Sequence, residues 1–150
     1  MLSSKPNHYR VGKDWLYFMY RQVILPWELE WSTARFHIDQ GSLREFCDAE
    51  AFSVKAFPSA AELKHAMSEI EQESRAKRGL LWFVRRDQKP KDTLRHLRNA
   101  FAHGLFTARQ KNRQNCVDIV AINQGTLKAR GFIPLGSLRG FVDAARSCKC

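Results

Sequence analysis

The chain has 150 residues, a formal net charge of +10, 44% hydrophobic residues and four cysteines. A chain of this length forms one domain, residues 1–150, that can bury roughly two thirds of the surface its unfolded form exposes, so no staple is required. Cys47, Cys116, Cys148 and Cys150 form no CxxC ladder, and the first apolar run, Trp15 to Tyr20, is too short for a signal peptide or a membrane span. A reducing, cytoplasmic protein without a membrane partner is therefore expected.

The charge is unevenly placed. Residues 1–74 carry a net −3, residues 114–150 a net +3, and residues 75–113, with twelve Lys/Arg against two acids, carry +10. Such density in one segment is the electrostatic footprint of a polyphosphate partner; the plainer alternative is a well-solvated surface.

Residues 10–25 read as an apolar-rich helix through Val11, Trp15, Phe18 and Leu25, ended by Pro26, which has no N–H to donate. A second short helix is expected from Ser32 to His37, a break at Gly41-Ser42, a short helix near 43–51 and then a loop to Phe57. Ser59 and Glu62 have capping-box spacing ahead of Leu63, Ala66, Met67 and Ile70. That helix is expected to run on through Gly79 and Leu80–Val84 to about Arg86. Gln88–Lys91 is a loop, and the next helix spans Asp92 to Gly104, with Asp92 or Thr93 as its cap and Gly104 as its stop. Leu94, Leu97, Phe101 and Leu105 line one side of it, while Arg95, Arg98, Asn99 and His103 occupy the other. Residues 107–115 read as an exposed, basic loop. Residues 117–122 and 127–133 flank Asn123-Gln-Gly-Thr126 as a hairpin, and a final helix runs from Ser137, its cap, to about Arg146. The expected architecture is mainly α: an antiparallel helical bundle over about 10–104, with a small C-terminal β-hairpin and a final helix over about 116–147.

No Gly-rich phosphate loop, nucleophile elbow or metal-ligand spacing of histidines is present. Cys116, beside a strand, reads as a packed thiol. A zinc site joining His65 or His96 to Cys148 and Cys150 is weighed against a frayed tail, and the tail is preferred. No cofactor is expected. One constellation remains, Arg98-Asn99-Ala-Phe-Ala-His103-Gly104. It sets a permanent cation and a titratable imidazole about 7.5 Å apart along the helix axis and about 140° apart around it. Because the two do not share a face, a second chain or a neighbouring helix is needed to close a site. Alone, His103 could simply be a cation at a helix C-terminus.

Arg98-Asn99-x-x-x-His103, late in a small basic chain, resembles the signature of the HEPN superfamily. The resemblance implies a HEPN-like helical bundle and a metal-independent endoribonuclease, assembled as a homodimer with both motif copies at one cleft. It further implies a toxin-like or defence-related role, with an antitoxin protein as a possible second partner. In that scheme His103 moves protons, Arg98 holds the scissile phosphate, and Asn99 orients the imidazole or bonds a phosphate oxygen. Arg95, Arg109, Lys111 and Arg113 are candidates for RNA-backbone steering. Two alternatives stand beside this: a non-catalytic relative binding RNA or protein through the same cleft, and an interaction module docking on an acidic partner.

Overall fold

The computed structural model describes residues 11–37, 41–111 and 113–150. Arg10 and Asn112, which fall within two predicted segments, and residues 38–40 lie outside the described residues. Strands β1 (Phe52–Phe57), β2 (Gly79–Val84), β3 (Phe106–Lys111), β4 (Gln114–Asn123) and β5 (Thr126–Pro134) form one sheet in the order β1-β2-β5-β4-β3. β1 and β2 are parallel; the other pairs are antiparallel. The expected mainly α bundle with a small hairpin is thus overturned by a five-stranded mixed sheet covered on both faces by helices.

Three strands were expected as something else, for physical reasons. Leu80, Leu81, Trp82 and Phe83 in β2 are all fully buried. A strand buried on both faces is apolar at every position, so its sequence shows no alternation and matches a buried helix equally well. β1 is half-buried and irregular in pattern. β3 is an edge strand in which only Ala108 is fully buried, and its Arg109 and Lys111 supply the charge that keeps edges from pairing with other chains. The hairpin is as expected. Asn123 pairs with Thr126, and Gln124 and Gly125 both have positive φ, 52° and 77°, as a two-residue turn of the type matching strand twist requires.

Helix α4 (Ala60–Ala76) begins where its sequence says, the Ser59 side chain accepting from the Glu62 N–H. It ends at Ala76, well short of the expected Arg86. It is the crossover between the parallel strands, and Leu63 and Ile70 pack on Leu80, Trp82 and Phe132 of one sheet face. The other face, with Leu81, Phe83, Val117, Ile119 and Ile133, is covered by α5 (Lys89–Ala102), α6 (Leu135–Arg146), α3 (Gly41–Glu50) and the N-terminal helices. α1 (Lys13–Met19) runs through a π-wound turn, Tyr20–Ile24, into α2 (Leu25–Leu29), followed by a 3₁₀ turn at Trp31–Thr33. Pro26 does not end this helix. It sits in the first turn of α2, just past the π turn, where the missing N–H is harmless. The C-terminal tail is docked rather than frayed: Cys148 is buried, Phe36 bridges to Lys149, and Lys149 pairs with Glu30. Among the described residues no helix is long and apolar enough to cross a membrane.

Gly131 of β5 shows how tightly the sheet is built. A Cβ there would lie 2.5 Å from the Leu80 carbonyl oxygen and 2.9 Å from Leu81 Cδ1. Backbone cannot yield as a flexible side chain does, so Gly131→Ala should lower stability by about 1–3 kcal/mol, read as a fall in Tm. An unchanged Tm would mean that the β2–β5 pairing is looser than described.

Candidate active site at the end of helix α5

Helix α5 carries the Arg98–His103 pattern, and both of its ends are fixed by specific contacts. At its start the cap is Gln88, with Pro90 in the first turn, so the helix begins three residues before the expected Asp92. Asp92 is fully buried and has a different task. Its carboxylate accepts from the backbone N–H of Arg86 at 2.8 Å and of Asp87 at 2.9 and 3.0 Å, which pins the loop leaving β2 against the first turn of α5. At the other end Gly104 has φ +66°, and the Leu105 N–H donates to the Ala100 carbonyl at 2.8 Å, a glycine-closed terminus. The chain then turns straight into β3, and the Leu105 carbonyl accepts from Val120 of β4. His103 is thereby held, exposed, at the junction of helix and sheet.

A cavity of about 440 Å³ opens at that junction, lined by Asn99 of α5 and His103 just past its last residue, by the buried His96 about one turn before Asn99, and by Ile122, Asn123 and Lys128 of the β4–β5 hairpin. The sequence offers His96 only as a zinc ligand and Asn123 only as a turn residue, and does not point to Lys128; none of the three is expected at this site. The hairpin itself is legible, but its docking against the end of α5 is a tertiary fact with no local signal. The two helix histidines are chemically distinct. His96 Nε2 lies 3.0 Å from the Val84 carbonyl and its ring stacks on Phe83 at 4.8 Å. Burial pushes its pKa below the usual value, only partly offset by the Val84 hydrogen bond. It is therefore a neutral donor to Val84, whereas His103 has open access to solvent.

Arg98 does not line the cavity. Its guanidinium donates to Asn99 Oδ1 at 2.9 Å and pairs with Glu28 of α2. Asn99 thus links the arginine to the imidazole side, and its amide nitrogen is the group it can offer to a ligand. The remaining cations do not gather here. Arg95 pairs with Asp87 at 2.7 Å and lies over the Trp27 ring at 5.1 Å. Arg109 and Lys111 line a different cavity with Asp118, on the sheet face that α4 covers. Arg113 sits exposed after β3 with φ +64°.

Cys116 is buried, and burial raises its thiol pKa above the usual value, which keeps it protonated and unreactive at neutral pH. Among the described residues no group of three or more His, Cys, Asp or Glu could hold a metal ion.

The buried neutral His96 should make stability pH-dependent. Below about pH 6.5 the unfolded chain takes up a proton that folded His96 refuses, so stability should fall as the pH drops from 7.5 to 5.5, by at most about 1.4 kcal/mol per unit. His96→Gln, which can still donate to Val84, should show a shallower fall in Tm over this range; parallel curves would overturn the assignment.

Compared with protein families, residues 12–145 match the model described as HEPN pEK499 p136. No curated protein and no solved structure matches the chain. With the match covering nearly the whole length and the Arg98-Asn99-x-x-x-His103 pattern lying inside it, the chain belongs to the HEPN pEK499 p136 family.

Proposed function

We propose that this protein is a metal-independent endoribonuclease whose reaction centre is the cavity at the end of α5. The observation that carries the reading is the placement of an exposed imidazole, His103, beside Asn99 and Lys128 in one cavity, with Arg98 one hydrogen bond away through Asn99. An imidazole with a reference pKa near neutrality can take the proton of a ribose 2′-hydroxyl. The resulting oxyanion attacks phosphorus, the P–O5′ bond breaks, and an imidazolium protonates the departing 5′-oxygen. The products are a 2′,3′-cyclic phosphate and a 5′-hydroxyl, with no metal or redox partner involved. Arg98 supplies a fixed, fork-shaped cation for the phosphate once the phosphate displaces Glu28.

This chemistry needs an acid and a base. His96 is buried and bonded to Val84, leaving one open histidine at the cavity. A second copy of the chain would supply the other imidazole. Leu16, Tyr17, Tyr20 and Leu29, exposed on the same N-terminal helices that bring Glu28 to Arg98, support a homodimer. A toxin-like or defence role, with an antitoxin as a further partner, rests on the HEPN membership alone.

A second reading is favoured by one observation: Arg98 is already neutralised by Glu28 in the single chain. A non-catalytic HEPN domain that binds RNA or a partner protein would leave that pair intact.

Incubating the purified protein with RNA in EDTA separates the two. Cleavage to cyclic-phosphate ends is expected, slowed about 10²–10⁴-fold by His103→Ala and about 10²–10³-fold by Arg98→Ala. Intact RNA with wild type, or equal cleavage by His103→Ala, would overturn the enzyme reading. Light scattering at micromolar concentration should report a dimer; a strict monomer would remove the shared site.

A further inference from the structure

The positive charge of residues 75–113 has a destination other than the His103 cavity. Three cavities adjoin one another beside α4 and the open end of the sheet, and consecutive ones share cationic residues. The first, about 230 Å³, is lined by Arg75, Arg109, Lys111 and Arg130, with Ile70 and Phe132 as an apolar floor. The second shares Arg75 and Lys111 with it and adds Lys77 and Arg78. The third shares Lys77 and adds Arg44, Lys55 and Lys89. The acids lining them are Glu71, Asp118 and Glu73, and Glu50 pairs with Arg78. Among the described residues, nine cations against four acids leave a net +5 along this one path, half of the chain's +10.

We propose that this chain of cavities is a binding track for the phosphate backbone of single-stranded RNA, separate from the His103 cavity. The two sites lie at opposite ends of β4, one touching Cys116 and Asp118, the other Ile122 and Asn123. Several features favour a nucleic-acid backbone. Cations succeed one another over three cavities, as a repeating phosphate chain requires, and five of the nine are arginines, whose planar fork matches phosphate oxygens. Asp118 is shared by Arg109 at 3.5 Å and by Arg130, so one carboxylate serves two guanidiniums and the arrival of further negative charge is favourable there. Burial also lowers the pKa values of Lys111 and Lys89, a cost that a bound anion would relieve. Lys111 Nζ lies 3.6 Å over the Phe132 ring, which holds that cation at the first cavity, and a path that passes from cavity to cavity around the C-terminal end of α4 suits a flexible single strand rather than a stiff duplex.

The proposal takes RNA as ligand from the reading above but does not depend on catalysis. It is tested with a 2′-O-methyl single-stranded oligonucleotide, which binds but cannot be cut by 2′-hydroxyl attack. Fluorescence anisotropy across a salt series should give a log–log slope that falls by about 1.4 in the Arg75→Gln, Lys77→Gln double variant, two phosphate contacts fewer. Lys64→Gln, a surface change on α4 outside the three cavities, should leave the slope unchanged, and circular dichroism should show both variants folded. An unchanged slope in the double variant, displacement of the oligonucleotide by polyglutamate at equal charge, or no binding by wild type would each overturn the track. Cleavage of ordinary RNA is read separately. His103→Ala that loses cleavage but keeps oligonucleotide affinity supports the track, while cleavage by wild type alongside an unaltered double-variant slope removes the track and leaves the nuclease standing.

Discussion

The structure is organised by the demand that β2 be dry on both sides. Leu80 and Trp82 face α4, Leu81 and Phe83 face α5 and its neighbours, and each is at most 1% exposed. Burying side chains of this size stabilises by about 1.5–3 kcal/mol apiece, but only if both faces of the sheet are roofed. The first roof is α4, the crossover that parallel pairing with β1 requires in any case. The second is α5, which leaves β2 through the loop held by Asp92 and lies back across the sheet. The direction of that return carries His103 to the hairpin end of β4. The position of the candidate site is thus a by-product of covering one apolar strand.

What could be read beforehand follows from how local each signal is. Ser59 with Glu62, Gly104, and Asn123 to Thr126 act through contacts a few residues long, and the structure keeps all three. Asp92 is also local, yet its residue type fits a helix cap and a loop-pinning carboxylate equally, and only the position of Arg86 and Asp87 decides between them. β2 was illegible because complete burial removes periodicity. β3 was illegible for the opposite reason: an edge strand carries the polar and basic residues of a loop.

The site was partly legible in the same sense. Spacing lined up Arg95, Asn99 and His103 along one side of the helix and set Arg98 round from them; the cavity takes Asn99 and His103, while Arg95 turns to Asp87 and Trp27. Spacing said nothing of which histidine is open, since His96 lies on α5, His103 just past its last residue, and the two differ only in what covers them. The concentration of charge in residues 75–113 was visible, but its direction was not. Arg95 and Arg98 are drawn into ion pairs beside the N-terminal helices, while Arg75, Lys77, Arg109 and Lys111 turn to the far end of the sheet.

The π-wound turn at Tyr20–Ile24 sets the angular phase of everything that follows it in that helix. Such a turn amounts to one extra residue in the winding, and one residue is about 100° of rotation. With it, Trp27 points into the core beneath Arg95, and Glu28 reaches Arg98. With ordinary winding the same two side chains would sweep about a quarter turn away, and the motif arginine would lose its carboxylate. The electrostatic state of a residue on α5 is therefore timed by a single-residue slip in another helix, far from it in sequence, much as a cam sets the moment at which a distant valve opens.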